Sequence, residues 1–157
     1  MLRRTYKRLL LTAVLGLASV AAVNAQSVSG SISGGSVSPG KPARATVYLD
    51  IPGGLHANSS RPNSEFAIPT NVRVSSGRGV RLSPVNYPRG HNKKFGFSEQ
   101  AINVYEGRVP FTFTVTVPQN YAGKSVRVNV TVRYQACTDE VCYSPKTKSL
   151  TLTANVR

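Results

Sequence analysis

Residues 111–117 read FTFTVTV, with an apolar side chain at every second position and a threonine between each pair. Side chains of an extended strand point alternately to opposite faces, so this pattern makes one dry face and one wet face. A helix cannot gather the same residues on one side. The pattern returns at residues 43–51 (ARATVYLDI), 126–134 (VRVNVTVRY) and 150–156 (LTLTANV). Weaker strands are expected at residues 65–75, 80–82 and 102–105. Turn residues separate them: Pro52-Gly53-Gly54, Pro84, Pro88, Gly90, Gly107 and Pro118. No helix-period segment follows residue 25, and no 20–50-residue repeat of the solenoid or propeller kind occurs. About seven or more short strands in one domain predict an all-β fold, an immunoglobulin-like β-sandwich.

Arg3, Arg4, Lys7 and Arg8 precede an apolar run over residues 9–23, which ends in the small-residue pattern Val23-Asn24-Ala25. These are the marks of a cleaved signal peptide over residues 1–25, and the run is short of the roughly 20 residues a membrane helix needs. The chain is therefore expected to be exported, to a periplasmic or other extracytoplasmic space. Residues 26–42 are Ser/Gly-rich, with only Val28, Ile32 and Val37 to bury, and read as a flexible lead-in or a frayed first strand. Residues 43–157 form the expected domain. Beyond residue 25 the formal charge is about +10. In a cytosolic chain that balance would suggest nucleic acid; an exported one meets anionic envelope instead. No nucleic-acid partner is expected, and weak, salt-sensitive association with an anionic membrane surface is.

Both cysteines lie in YQACTDEVCYSP, residues 134–145. If the strand at 126–134 runs on, Cys137 falls with Arg127, Asn129, Thr131 and Arg133 on the wet face, its sulfur reachable from solvent. Cys142 follows after four residues that suit a connection between neighbouring strands. Cross-strand Cα separations of about 4.5–5.5 Å fall within the roughly 4.4–6.8 Å a disulfide tolerates. The resting state of an exported chain is then the disulfide. Closing so short a loop stabilises by only about 2 kcal/mol in the chain-entropy account, so the fold should not depend on it. The residues alone leave two functions open: a structural disulfide on a non-catalytic binding module, or a pair that opens and closes.

The segment YQACTDEVCYSP resembles the active-site hairpin of the N-terminal periplasmic domain of the thiol:disulfide interchange protein DsbD. GLHANSSRP at 54–62, IPT at 68–70, YP at 87–88 and VYEG at 104–107 recur in that order in this family and in stand-alone relatives. The resemblance implies an immunoglobulin-like sandwich in which Cys137 and Cys142 are the catalytic redox pair. They would pass electrons from a membrane-embedded donor on a separate chain to thioredoxin-like periplasmic proteins, with Cys142 meeting the partner and Cys137 resolving the mixed disulfide. The resemblance also implies a mobile aromatic cap over the sulfurs. In NKKFGF, residues 92–97, Phe95 is the candidate cap and Phe97 its neighbour, with Lys94, His56 and Tyr134 lining the site. Taken without the resemblance, His56 reads as a surface histidine. Lys93 and Lys94 stand where better-known members are acidic; lysines favour a thiolate, whereas Asp139 and Glu140 between the cysteines oppose it. No cofactor or metal is expected, because the spacing of His56 and His91 from the cysteines matches no compact zinc pattern. Hydrolytic chemistry lacks a G-x-S-x-G elbow.

Overall fold

The computed structural model describes residues 26–157; the expected signal peptide lies outside them. The strands are β1 (Ser27–Ile32), β2 (Ser36–Val37), β3 (Pro42–Ile51), β4 (His56–Asn58), β5 (Asn71–Ser76), β6 (Arg81–Leu82), β7 (His91–Lys93), β8 (Ile102–Tyr105), β9 (Gly107–Thr116), β10 (Ser125–Tyr134), β11 (Ala136–Cys137) and β12 (Lys146–Val156). They form three four-stranded sheets, ordered β1-β3-β9-β6, β2-β12-β10-β5 and β11-β4-β8-β7. The first two make an immunoglobulin-like β-sandwich, and the third extends it at one end.

The four well-patterned segments become the four longest strands, β3, β9, β10 and β12. Their alternation sets the register. Phe111 and Phe113 on β9 stand opposite Val47 and Ala45 on β3, and Val128 and Val130 on β10 stand opposite Leu152 and Leu150 on β12. Their inward side chains form one continuous core. Removing each large apolar side chain from water contributes about 1.5–3 kcal/mol, which makes this ladder the main source of stability. The intervening Thr112, Thr114 and Thr116 stay partly exposed, as the sequence pattern requires.

Of the two expectations for residues 26–42, a flexible lead-in or a frayed first strand, they form the strand, and it is not frayed. β1 pairs along its whole length with β3, from Ser27 opposite Asp50 to Ile32 opposite Ala45, and Val37 on β2 pairs with Val156. Sparse anchors suffice because Ile32 and Val37 both insert into the core, while Gly30 lets β1 lie close to Thr46 and Leu152, where a Cβ would clash. Of residues 65–75, expected as one strand, only β5 pairs with β10, and Glu65 to Thr70 form a loop.

The third sheet grows out of the sandwich at two single-residue junctions. β8 passes through Glu106 into β9, where Gly107 takes a positive φ of 67° that favours glycine. β10 passes through Gln135 into β11.

Candidate functional site

β11 pairs with β4, with Ala136 opposite Ala57 and Cys137 opposite His56; β4 pairs with β8, with Asn58 opposite Val104. β7 completes the sheet, with His91 opposite Val104 and Lys93 opposite Ile102. By strand alternation, Ala57, Tyr105 and Ala136 face the sandwich core. His56, Asn58, Cys137, Ile102, Val104 and Lys93 face the other way. That second face carries a small separate core of Phe95, Ile102 and Val104, with Ala67 against it.

Cys137 and Cys142 form a disulfide with Cα atoms 3.9 Å apart. The two residues are an antiparallel pair flanked by backbone bonds, Thr138 N–H to Val141 O at 2.8 Å and Tyr143 N–H to Ala136 O at 2.9 Å. A pair so flanked is the close, non-hydrogen-bonded kind, about 4.5 Å, and the Cα atoms lie nearer still than the separation expected from sequence. The turn between the cysteines is held by Thr138, whose Oγ1 accepts from the N–H groups of Glu140 (3.2 Å) and Val141 (3.1 Å).

The expected solvent access of Cys137 is corrected: its relative exposure is 0 %. The alternation itself holds, since Ala136 joins the sandwich core and Cys137 points away from it. What differs is the cover. The face that is wet at Arg133 carries the small second core on the neighbouring strands, and His56, the register partner of Cys137, lies stacked under Phe95. Cys142 keeps part of its surface exposed and lines a groove of about 230 Å³ with Asn58, Phe66, Phe97, Ile102 and Gln135. Phe66, Phe97, Val141 and Tyr143 are the large apolar side chains exposed among the described residues, and all four lie in or beside this groove or the cysteine hairpin.

Phe95 is buried, and its ring stacks on His56 with centroids 4.2 Å apart and planes 18° from parallel. Phe97 stacks on Phe95 from the outside at 5.2 Å, itself 44 % exposed. His56, a surface histidine on the residues alone, is 1 % exposed. Burial, and then the nearby Lys93, hold its pKa below the ordinary value, so the ring is neutral at pH 7; Glu106 and Asp139 pull the other way.

Lys94 leaves the site and donates to the backbone carbonyl of Glu99. Lys93 takes the place expected of it. Its Nζ lies 3.0 Å from Glu106 Oε1, 3.0 Å from Asp139 Oδ1 and 5.5 Å from the Phe95 ring centroid. Hydrogen bonds to Glu106 and then Asp139 raise the lysine pKa, and the same contact lowers that of Glu106. His91 Nε2 lies 3.3 Å from Glu106 Oε2. Asp139, in the cysteine turn, is thus tied to the strand that leads into Phe95. β7 ends at Lys93, which puts His91 and Lys93 on one side and Lys94 past the strand end.

Tyr134 belongs to the sandwich core, where burial pushes its phenol pKa up. Gln135 stands in the YQAC part of the cysteine motif but is absent from the candidate site residues. Its Oε1 accepts from Asn58 Nδ2 (2.9 Å) and from the Ile68 N–H (3.2 Å), while its Nε2 donates to Tyr143 O (3.2 Å). One junction residue thereby fixes β4, the 59–70 loop and the exit of the cysteine hairpin. Three buried polar atoms lack a hydrogen-bond partner among the described residues: His56 Nδ1, Asn58 Oδ1 and the Tyr134 hydroxyl. All three belong to β4 or to the residue before Gln135.

The family described as thiol:disulfide interchange protein DsbD, N-terminal, matches residues 32–154. The chain belongs to this family. As a DsbD N-terminal domain it is a thiol–disulfide exchange domain, and the family match spans the sandwich apart from most of β1 and the end of β12, with the third sheet and the cysteine hairpin. Among solved structures it is similar to the DsbD N-terminal domain of Neisseria meningitidis in its reduced form, with a TM-score of 0.46 and 17 % identity over 71 % of this chain and 77 % of that one. It is similar to the N-terminal periplasmic domain of ScsB from Proteus mirabilis, with a TM-score of 0.52 and 13 % identity over 80 % of this chain; the match spans 44 % of the ScsB chain. A third likeness, with a TM-score of 0.43 and 14 % identity over 69 % of this chain and 73 % of that one, is to a complex of the DsbD and PilB N-terminal domains of Neisseria meningitidis. No curated protein sequence matches the chain significantly.

Proposed function

We propose that this DsbD-type domain works in the periplasm as an electron relay between a membrane-embedded donor on another chain and thioredoxin-like proteins. In this reading Cys142 is the sulfur that meets the partner and Cys137 is the resolving thiol. Phe95, backed by Phe97, is the cap that keeps small thiols away from the pair and moves when a partner docks. The observation that carries the reading is the asymmetry of the pair: Cys137 is closed off, while Cys142 opens into a groove edged by exposed apolar side chains. A staple has no use for such an edge, whereas a docking protein buries it. The basic, apolar N-terminal segment and the periplasmic origin of the ScsB relative support the location.

Two measurements test the proposal. The reduction potential against glutathione should lie above about −300 mV, the region below which structural disulfides fall. Cys137→Ala should trap a mixed disulfide between Cys142 and a thioredoxin-like protein. A more negative potential together with no trapped complex would return the disulfide to a structural role.

A further inference from the structure

A buried thiol that must act as a nucleophile has to lose its proton first, because the thiolate and not the thiol attacks. Cys137 exposes no surface, so solvent is not at hand to take that proton. Across the β11–β4 pair its register partner is His56. Directly opposed residues of an antiparallel pair have Cβ atoms about 4.5–5.5 Å apart on the same face, within reach of an imidazole and a sulfur. The Nδ1 atom of that imidazole is buried without a hydrogen-bond partner. Buried polar atoms are nearly always paired, and an exception calls for a reason. Cys137 carries no hydrogen in the disulfide and acquires one on reduction, so in the tautomer that leaves Nδ1 unprotonated this nitrogen gains a donor in the reduced state alone.

We propose that His56 accepts the proton of Cys137 when that thiol closes the disulfide. The inference rests on the relay reading above and adds a proton path to it. First, the Cys142 thiolate attacks a partner disulfide, forming a mixed disulfide and releasing one partner thiolate. Cys137 Sγ then attacks Cys142 Sγ. The bond between the two domain sulfurs forms, the bond from Cys142 to the partner breaks with its electron pair leaving on the partner sulfur, and the Cys137 proton passes to His56 Nδ1. As the cap opens, the imidazolium returns that proton to solvent or to the departing thiolate. The domain loses two electrons, and the partner disulfide becomes a dithiol.

The surroundings fit a base. The ring is held neutral at rest, as an acceptor must be. Once charged it is favoured by Glu106, at the end of β8, and Asp139, in the cysteine turn, and opposed by Lys93 and His91 on β7. Phe95 stacked over the ring fixes its plane. Tyr134, the other unpaired polar side chain beside the hairpin that titrates, is pushed by burial toward keeping its own proton.

The test needs no protein partner. Reduced protein mixed with dithiobis(nitrobenzoate) releases one thionitrobenzoate as Cys142 is captured and a second as Cys137 resolves the mixed disulfide. His56→Phe keeps an aromatic ring beneath Phe95 and removes both nitrogens. It should leave the first release as in the parent and slow the second by about a hundredfold, the lower end of what a general base contributes. In the parent, the second rate should fall as acid protonates His56; in the variant that dependence should vanish and leave only the thiol's own alkaline rise. A second release with parent rate and parent pH profile would overturn the proposal. Should His56→Phe not fold, ring-nitrogen resonances of His56 in the parent decide: they should move on reduction, and identical values in both redox states would equally overturn it. Failure to trap a thioredoxin-like partner would count against the relay and leave this result standing, because the probe is a small molecule.

Discussion

The sandwich and the third sheet are built on different scales. β3, β9, β10 and β12 run for 10 or 11 residues each and share one large core; β11, β4, β8 and β7 run for 2 to 4 and share three residues of a second one. Local opening is cheapest where buried apolar contacts are few. The molecule thus keeps its reactive pair in the part that can loosen, and leaves stability to the part that cannot. The disulfide closes a turn within the small sheet and crosses no sandwich strand, so breaking it leaves the large core untouched.

Substitutions can break or sharpen this contrast. The largest effect is expected in the sandwich: Phe111→Ala should cost about 3–5 kcal/mol, read as a lowered urea midpoint with an unchanged slope. Cys137→Ala combined with Cys142→Ala should cost only about 2 kcal/mol and leave one cooperative transition. If that double variant unfolds the sandwich, the two regions are not separable and the contrast fails. Phe95→Ala should destabilise less than Phe111→Ala yet speed reduction by glutathione about tenfold, which corresponds to removing a closure worth about 1.4 kcal/mol. An unchanged rate would mean that Phe95 shields nothing.

Acid should act on the small sheet first. The folded pKa of His56 lies below its unfolded value, so the unfolded chain binds more protons as pH falls below about 6.5, and stability declines from there until the folded site also protonates. Glu106, with its pKa also lowered, adds a loss at lower pH, as the medium falls through its depressed value. His56→Phe should remove the first decline and keep the second, in denaturant titrations run at a series of pH values. The smallest effect belongs to Asp139→Asn. Its pair with Lys93 is largely exposed, so about 0.2–1 kcal/mol is the most to expect, seen as a faster reaction with glutathione that high salt reproduces in the parent.

The same difference of scale decides what can be read in the sequence. Alternation over seven or more residues marks all four long strands, because only an extended backbone keeps every second side chain on one face over that length. A strand of two or three residues has no period to show, so β4, β7 and β11 leave no trace of this kind. The redox pair is legible from its motif, and Phe95 enters only through the resemblance of NKKFGF to the family's cap loop. The burial of Cys137 and His56 is not, because it depends on the pairing of β11 with β4 and, for His56, on the Phe95 ring, partners far off in the chain. The wet face of β10 gives a sound direction for Cys137 and a wrong solvent. Phe66, 86 % exposed at the groove, is absent from the candidates although a lone phenylalanine in a polar loop is itself a signal.

The passage through Gln135 keeps the alternation of β10 intact into β11, and it does so with an odd-numbered step from Tyr134 to Cys137. Inserting or deleting a single residue there would turn the Cys137 sulfur half a period, into the interior of the sandwich and away from His56. A change of two residues would bring it round again. The length of that link is therefore a parity rule on the chemistry, and drift in chain length at this point should proceed in pairs.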